Sequence, residues 1–267
     1  MKYKKNNKQK VSFMDTLVSK LKKTDIGFED FLLVLEHNEE KFFDNPELEM
    51  ELLLSNGFPI DIIDNKVVLS TKNTAIKDQL FCIVDIETNG NTVHTGQIIE
   101  LGAVKYQNGK IIGKYESLVY AKDIPKYIQE VTNITPLMLE DAPVLQVVLE
   151  EFKLFLEDSV FVAHNIKFDY SFVSESFEKY NLGKLENRSL CTIDLAKRTI
   201  DAKRYGLDYL KELLGINIDN QHRAYSDALS TTYILQESIG CLPKKVITSE
   251  DLIDYSKSDN IINKNKN

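Results

Sequence analysis

The stretch "FCIVDIETNG", residues 81–90, combines an apolar, strand-like run with two acidic residues, Asp85 and Glu87. Alternate residues of a strand project from the same face, so the two carboxylates lie side by side. Such a pair offers the hard oxygen ligands that divalent cations bind. The alternative is an edge strand whose two acids are solvated. The apolar flank and the short turn "TNG" favour a strand end that opens onto a site.

The composition is that of an ordinary globular protein: 43% of the 267 residues are hydrophobic and 28% are charged. No apolar run approaches the ~20 residues of a membrane span, and none follows the basic N-terminus to form a signal peptide. Cys82, Cys191 and Cys241 form no CxxC pair, which favours a reducing, cytoplasmic setting over a zinc or disulfide framework. The net charge of −8 is unlike that of a protein that coats DNA. An enzyme that draws in one strand end through bound cations has less need of a basic surface.

Patterning divides the chain into four parts. The first is a basic, flexible tail with five lysines and no acid, and the last is a polar tail in which only a short helical patch is expected. Between them we predict a small helical domain and a larger domain of strands and helices. The four parts span residues 1–10, 11–76, 79–240 and 241–267.

The small domain repeats apolar residues every three to four positions in three segments, as amphipathic helices do. Two short strands that turn at Asp64-Asn65 follow, so the domain resembles a winged-helix module in outline. Residues 11–80, however, carry 14 acids against 7 lysines and no arginine. A recognition helix presents Lys or Arg to phosphates, so this composition favours a packing or protein-docking role over DNA binding.

The larger domain begins with three predicted strands, "LFCIVDIET", "QIIELGAVKYQ" and "KIIGKYESLVY", the last two joined by a tight hairpin at Asn108-Gly109. A helix ("PVLQVVLEEFKLFLED"), a strand ("SVFVAH"), a helix ("KFDYSFVSESFEKYN"), a strand ("SLCTID") and two further helices follow. This order predicts an α/β fold with a mixed sheet and helices on its faces.

Polar residues that are candidates for metal binding or catalysis recur further along the chain. Asp169 follows a buried strand and a His-Asn turn, at the start of a helix; alone, it could be an acid stabilised by the helix dipole. "HRAYSDAL" adds His222 and Asp227. At ~100° per residue, these two would point ~140° apart on one helix. We therefore expect His222 in the loop before the helix and Asp227 on its inward face.

Together, the ordered motifs D-x-E, HNxxFD and H-x4-D resemble the DEDDh 3′–5′ exonucleases, the DnaQ-like group with a ribonuclease-H-like fold. Further matches across residues 79–240 are "IIELGAV", "LVYAKDIPKYIQEVTNIT", "CTIDLAKR" and "YGLDYLKELLGI". One departure is Asn133, where the family often has Gly, but Asn tolerates a left-handed backbone. The resemblance implies a mixed five-stranded sheet with flanking helices, preceded here by the small helical domain.

The resemblance also implies an active site. Asp85, Glu87, Asp169 and Asp227 would hold two Mg²⁺ or Mn²⁺ ions, one activating the attacking water and the other stabilising the leaving 3′ oxygen. His222 would take the proton from that water, since histidine side chains change charge near neutral pH. The sister group with a tyrosine base would need Tyr at position 223, where this chain has arginine.

Four further residues are candidate substrate contacts. By the same resemblance, Thr88 and Gly90 would line the path of the terminal nucleotide. His164 and Asn165 would contact the substrate, or would form a hydrogen-bonded turn with a structural role only.

The function implied is a 3′–5′ exonuclease that releases nucleoside 5′-monophosphates from single-stranded or frayed DNA 3′ ends, as in the epsilon proofreading subunit of bacterial DNA polymerase III. The active-site residues do not exclude the same chemistry on RNA, as in RNase T or oligoribonuclease. A non-catalytic adaptor built on the fold would be expected to have lost a catalytic acid, and none is missing.

The partners implied are the polymerase subunit of DNA polymerase III and the sliding clamp. The chain has no clear clamp-binding peptide of the Gln-x-x-Leu/Met-x-Phe kind, and "SEDLIDYSK", with Leu252 and Tyr255, is a poor match. The N-terminal domain lies outside the minimal family pattern, so it could set a different partner.

Overall fold

The computed structural model describes residues 12–219 and 222–262. The tail predicted at residues 1–10 lies outside these ranges. The described chain forms an N-terminal module followed by a larger α/β domain, linked by one turn of 3₁₀-helix at Ile76–Asp78. No helix in the described ranges combines the length and apolar character that a membrane crossing requires.

The N-terminal module contains three main helices and a small antiparallel sheet of strand order β1-β3-β2. Its elements are α1 (Phe13–Lys23), β1 (Ile26–Gly27), α2 (Phe28–Glu36), α3 (Pro46–Ser55), β2 (Ile60–Ile63), β3 (Lys66–Leu69) and α4 (Ser70–Asn73). Asp64 and Asn65 both adopt positive φ, which produces the predicted tight turn between β2 and β3. Leu21, Phe31 and Phe58 are buried at its centre.

Helix α2 is shorter than its pattern predicts. The apolar spacing of three to four residues runs through "FEDFLLVLEHNEEKFF", residues 28–43, whereas the helix ends at Glu36. The polar run after Glu36 offers no apolar residue to continue the buried face. The chain turns back instead, and the backbone N–H groups of Phe42 and Phe43 donate to the Glu49 carboxylate at 3.0 and 2.9 Å.

The larger domain is built on a five-stranded sheet of order β6-β5-β4-β7-β8, in which β6, β5 and β4 pair antiparallel and β4, β7 and β8 pair parallel. The predicted α/β class with a mixed five-stranded sheet is therefore confirmed. Its elements are β4 (Phe81–Thr88), β5 (Ile98–Gln107), β6 (Lys110–Leu118), α5 (Lys126–Thr132), α6 (Pro136–Leu139), α7 (Leu145–Leu156), β7 (Val160–Ala163), α8 (Ile166–Lys179), β8 (Ser189–Cys191), α9 (Thr192–Thr199), α10 (Leu207–Leu214), α11 (Ala224–Gly240) and α12 (Ser249–Lys257).

Helices cover both faces of this sheet, and the alternation along β4 decides which side chain meets which helix. Cys82 and Val84 pack against α7 and α8. Phe81 and Ile83 pack against α9, α11 and α12. Asp85 and Glu87 follow Phe81 and Ile83 at two-residue intervals, so the two acids of β4 lie on the face that α11 covers.

The segment "SLCTID" is strand only over its first half. Strand β8 ends at Cys191 and α9 begins at Thr192. The Thr192 hydroxyl bonds the Ala163 carbonyl of β7 and lies within 2.9 Å of His164 Nδ1. These contacts, which are remote in sequence, accompany the change from strand to helix.

The C-terminal segment is more ordered than its polar composition suggests. The helical patch expected within residues 241–267 is α12, and Leu252 and Ile253 on it are fully buried against the sheet. A capping box between Thr248 and Asp251 fixes its start. Tyr255 packs beside them and Glu250 pairs with Arg188, so α12 is docked by apolar and ionic contacts together.

The N-terminal module is joined to the larger domain by an interlocking contact. The Asn56 side chain fits against Gly183, and Gly57 packs against the Asn187 side chain; a Cβ on either glycine would lie 2.3 Å from the facing Oδ1. The Glu186 N–H donates to the Asn56 carbonyl at 2.9 Å. The module is therefore fixed to the larger domain by specific contacts.

Candidate active site

The candidate site lies at the carboxyl end of β4, where ligands bind in open α/β sheets. Asp85 and Glu87 project from the same face of this strand end. On the neighbouring strand β5, Asp85 pairs with Gly102 and Glu87 pairs with Glu100. The pairing register shifts directly after Glu87, so the regular sheet ends at the two acids.

Asp227 completes a cluster of three carboxylates. It lies in the first turn of α11 and is buried. One carboxylate oxygen from each of Asp85, Glu87 and Asp227 lies within 4.8 Å of the others. The Asp227 Oδ2 atom accepts the backbone N–H of His222 at 3.1 Å, whereas its buried Oδ1 has no hydrogen-bond partner among the described residues. A buried, unpartnered oxygen on a carboxylate that lies close to two further acids fits a divalent cation.

Asp169 lies beside this cluster. It belongs to the first turn of α8, which starts after β7, and it is buried. Among the neighbouring acids, Asp169 raises the pKa of Asp85 the most. Burial raises the pKa of Asp169, and the backbone groups of Asp169 and Ile86 partly offset that rise. The structure therefore brings three of the four selected acids within 4.8 Å of one another, and the fourth, Asp169, acts on Asp85 through its charge.

Grouping these buried acids is electrostatically unfavourable, as their raised pKa values show. Burial raises the pKa of Asp85 well above its ordinary range, and the charges of Asp169, Glu87 and Asp227 raise it further. Burial, followed by the charge of Glu100, raises the pKa of Glu87 to about 8. Burial also raises the pKa of Asp169 to about 7, and it raises the pKa of Asp227. Bound cations would offset this repulsion and keep the carboxylates ionised.

His222 occupies the loop position expected for it. It is exposed, it precedes the first residue of α11 and it has a φ of 58°. Its backbone is tied to Asp227 through the hydrogen bond to Oδ2. The ring is therefore attached next to the carboxylate cluster while remaining open to solvent.

Thr88 and Gly90 shape the loop that follows β4. The Thr88 hydroxyl donates to the Gly90 carbonyl at 2.8 Å. A Cβ on Gly90 would lie 2.8 Å from the Thr95 carbonyl and 2.9 Å from Gly96 Cα. Close backbone packing within the loop thus accounts for glycine at position 90.

His164 and Asn165 differ in their surroundings. Both ring nitrogens of His164 are engaged, Nδ1 with the Thr192 hydroxyl and Nε2 with the Tyr205 carbonyl, each at 2.9 Å. Burial lowers the pKa of His164 to about 4, so the ring is neutral. A carbonyl only accepts, which places the proton on Nε2. These contacts match the hydrogen-bonded-turn alternative for His164, whereas Asn165 is exposed at the start of α8, with a left-handed backbone.

Two charged residues beside the cluster, Glu100 and Arg223, were not predicted from the sequence. Glu100 is fully buried in β5, and Arg223 Nη2 donates to its Oε1 at 2.6 Å. The sequence held one signal for Glu100, an acid inside the apolar run "IIELGAV". Nothing local indicated its partner, because Arg223 is 123 residues away.

This fold and this group of acids are those expected of a nuclease. The family model described as an exonuclease, RNase_T, matches residues 82–235. The chain belongs to this exonuclease family, and the sequence-based resemblance is confirmed.

The chain is similar to DNA polymerase III PolC-type proteins. It is 34% identical over 203 residues to the one from Staphylococcus haemolyticus (strain JCSC1435) and 37% identical over 186 residues to the one from Staphylococcus aureus. These alignments cover 74% and 68% of this chain but only 14% and 12% of the relatives.

Two solved structures illustrate the shared fold. Exonuclease X in complex with 5′ overhanging duplex DNA has a TM-score of 0.51 and 24% identity, covering 66% of this chain and 99% of that one. Exonuclease I of E. coli in complex with a dA16 oligonucleotide has a TM-score of 0.57 and 15% identity, covering 67% of this chain and 43% of that one. The ribonuclease-H-like exonuclease fold is therefore confirmed.

Proposed function

We propose that this protein is a divalent-cation-dependent 3′–5′ exonuclease that removes nucleoside 5′-monophosphates from single-stranded or frayed DNA ends. The observation that carries the proposal is the convergence of Asp85, Glu87 and Asp227 within 4.8 Å, with Asp227 Oδ1 buried and unpartnered among the described residues. Membership of an exonuclease family makes a phosphodiester the natural substrate for such a cluster.

Two Mg²⁺ or Mn²⁺ ions held by Asp85, Glu87, Asp169 and Asp227 would supply the positive charge that binds the scissile phosphate and acidifies the attacking water. The chain's own contribution is to hold four carboxylates in a rigid array. Asp85 and Glu87 are fixed by the strand, whereas Asp169 and Asp227 are fixed by first turns of helices packed on opposite faces.

His222 is the proposed general base. Its ring is exposed, while its backbone N–H is held by the Asp227 carboxylate. A ring attached in this way can accept a proton from water at the cluster and release it to solvent. Thr88, Gly90 and Asn165 border the same strand ends and are the proposed contacts to the terminal nucleotide. His164, whose ring nitrogens are engaged by Thr192 and Tyr205, would hold the turn that leads to Asn165.

DNA is the proposed substrate because the two solved relatives described above were determined in complex with DNA. A role in proofreading, in association with a polymerase subunit, is proposed from the similarity to PolC-type polymerases. Co-sedimentation of the full chain with the replicative polymerase of its host tests the association, and free sedimentation of the two would contradict it.

Matched acid variants test the catalytic proposal. Asp85→Asn and Asp227→Asn should each lower the Mg²⁺-dependent rate on DNA oligonucleotides by at least about 10³-fold, because each removes a charged cation ligand. Asp251→Asn is the control, since Asp251 is also a first-turn helix acid but only caps α12. Retention of most activity in either cluster variant would refute the site. Parallel assays on RNA of the same sequence would refute the DNA preference if RNA were cleaved faster.

A further inference from the structure

The first turn of α11 is held on the sheet by one buried carboxylate. Glu100 Oε1 accepts hydrogen bonds from Arg223 Nη2 at 2.6 Å and Nε at 2.9 Å. Its Oε2 accepts from Arg223 Nε at 3.1 Å and from the Ala224 backbone N–H at 3.0 Å. One side chain of β5 thus fixes both a side chain and the backbone at the start of α11.

Gly102 lets the helix approach closely. It is two residues beyond Glu100 and so lies on the same face of β5. A Cβ at position 102 would be 2.2 Å from the Tyr225 nitrogen and 2.3 Å from the Ala224 carbonyl carbon. The backbone of α11 therefore rests directly on that of the strand. We call Glu100, Gly102, Arg223 and Ala224 the helix seat.

The helix seat lies between the two halves of the carboxylate cluster. On one side, Glu100 and Gly102 pair with Glu87 and Asp85 across the β4–β5 ladder. On the other side, Asp227 follows Ala224 within the first turn of α11. A shift of α11 on β5 would therefore change the distances from Asp227 to both β4 acids.

The proposed general base is tied to the same seat. His222 immediately precedes Arg223, and its backbone N–H donates to Asp227 Oδ2 at 3.1 Å. Arg223 itself accepts the first helical hydrogen bond, from the Asp227 N–H at 3.0 Å. The position of Arg223 thus determines the positions of both His222 and Asp227.

Glu100 is not itself available as a cation ligand in this arrangement. It is fully buried, and both of its oxygens are occupied by Arg223 and Ala224. We propose that Glu100 and Arg223 are positioning residues that set the spacing of Asp227 and His222 from Asp85 and Glu87, and thereby set cation affinity and turnover. This inference rests on the proposed function, but its test can be read without substrate.

The test uses Arg223→Gln, with Arg188→Gln as its matched control. Arg188 forms a comparable buried pair with Glu250, Nε donating to Oε2 at 3.1 Å. Arg188 directly precedes β8. The first residue of β8 pairs with Phe161, which in turn pairs with Cys82 near the start of β4. Arg188 therefore lies at the opposite end of the sheet from Glu87. Mn²⁺ affinity of the substrate-free protein is measured by calorimetry, and kcat, KM and the melting temperature are measured separately.

We expect Arg223→Gln to weaken Mn²⁺ binding and to lower kcat, each by roughly 10–100-fold, with KM changed far less. Arg188→Gln should lower the melting temperature and leave both quantities within about threefold of wild type, the spread expected of a change that does not reach the site. The sign of the affinity change is decisive. On charge alone, removing a cation beside an acidic cluster would tighten Mn²⁺ binding, whereas loss of positioning weakens it.

Arg223→Lys keeps the charge but cannot supply the two-pronged contact of a guanidinium. It should therefore remain impaired, and it serves as the test if Arg223→Gln does not fold. Recovery of wild-type Mn²⁺ affinity and kcat in Arg223→Lys would overturn the inference, as would unchanged or tighter Mn²⁺ binding in Arg223→Gln. A wild-type protein with no nuclease activity would refute the proposed function, while the Mn²⁺ comparison would still decide the positioning role.

Discussion

The backbone N–H of His222 donates to Asp227 Oδ2 at 3.1 Å, which couples the proposed base directly to a proposed cation ligand. Because the donor is a backbone group, this coupling does not depend on the histidine ring. The chemistry of residue 222 can therefore be altered while the position of Asp227 is kept.

Replacement of His222 by Asn should separate catalysis from cation binding. We expect kcat to fall by about 10²–10⁴-fold, the usual contribution of a general base. Mn²⁺ affinity should stay close to that of wild type, because the Asp227 contact is made by the backbone. Steady-state kinetics and calorimetry on the same preparation check both quantities. Equal losses in both would show that residue 222 acts through the cluster geometry instead.

The raised carboxylate pKa values predict how stability depends on pH in the absence of metal. Glu87 and Asp169 have folded-state pKa values of about 8 and about 7, against ordinary values of 4.5 and 3.8. At pH values between the ordinary and the raised pKa of each group, the folded chain holds more protons than the unfolded chain. Stability must therefore fall as pH rises through this window.

Thermal melts in EDTA at constant ionic strength test this sign. The melting temperature should be at least about 3 °C lower at pH 8.5 than at pH 5.5, which for a chain of this size corresponds to roughly 1 kcal/mol. Mg²⁺ should restore much of the loss at pH 8.5, and Glu87→Gln should reduce the pH dependence. A melting temperature that is flat or that rises with pH in EDTA would contradict the repulsion described for the cluster.

The interlock between the N-terminal module and the larger domain predicts a local stability effect. Gly57 has a φ of 84°, and a Cβ there would lie 2.3 Å from Asn187 Oδ1. Gly57→Ala should therefore destabilise the protein by about 1–3 kcal/mol in urea unfolding. Gly240→Ala is the control, because nothing lies within 4 Å of its added methyl and it ends a helix. Equal stability of the two variants would show that the interlock contributes little.

Local pattern was sufficient for much of the fold and for two of the acids at the site, Asp85 and Glu87. The alternation of β4 predicted that Asp85 and Glu87 share a face, and the Asn108-Gly109 dipeptide alone predicted the hairpin. Asn133 indeed adopts the left-handed backbone, with a φ of 58°, that its place in the motif requires. In each of these cases the determining interactions lie within a few residues of the chain.

Features that depend on distant contacts were not predictable in this way. The pairing of Glu100 with Arg223 joins residues 123 positions apart, and neither carries a local signature of the other. The docking of α12 depends on burial of Leu252 and Ile253 and on the pairing of Glu250 with Arg188, which is 62 residues away. The selection of Asp169 and Asp227 required the resemblance to a family, because a first-turn acid on a helix is common without any site.

The central claim, cation-dependent hydrolysis from the 3′ end, is tested most directly by a time course on a 5′-labelled single-stranded DNA oligonucleotide. With Mg²⁺, we predict a ladder that shortens stepwise from the 3′ end and releases nucleoside 5′-monophosphates. The ladder should be absent in EDTA and with Asp85→Asn. Internal cleavage, release of nucleoside 3′-monophosphates, or undiminished hydrolysis by Asp85→Asn would contradict the account.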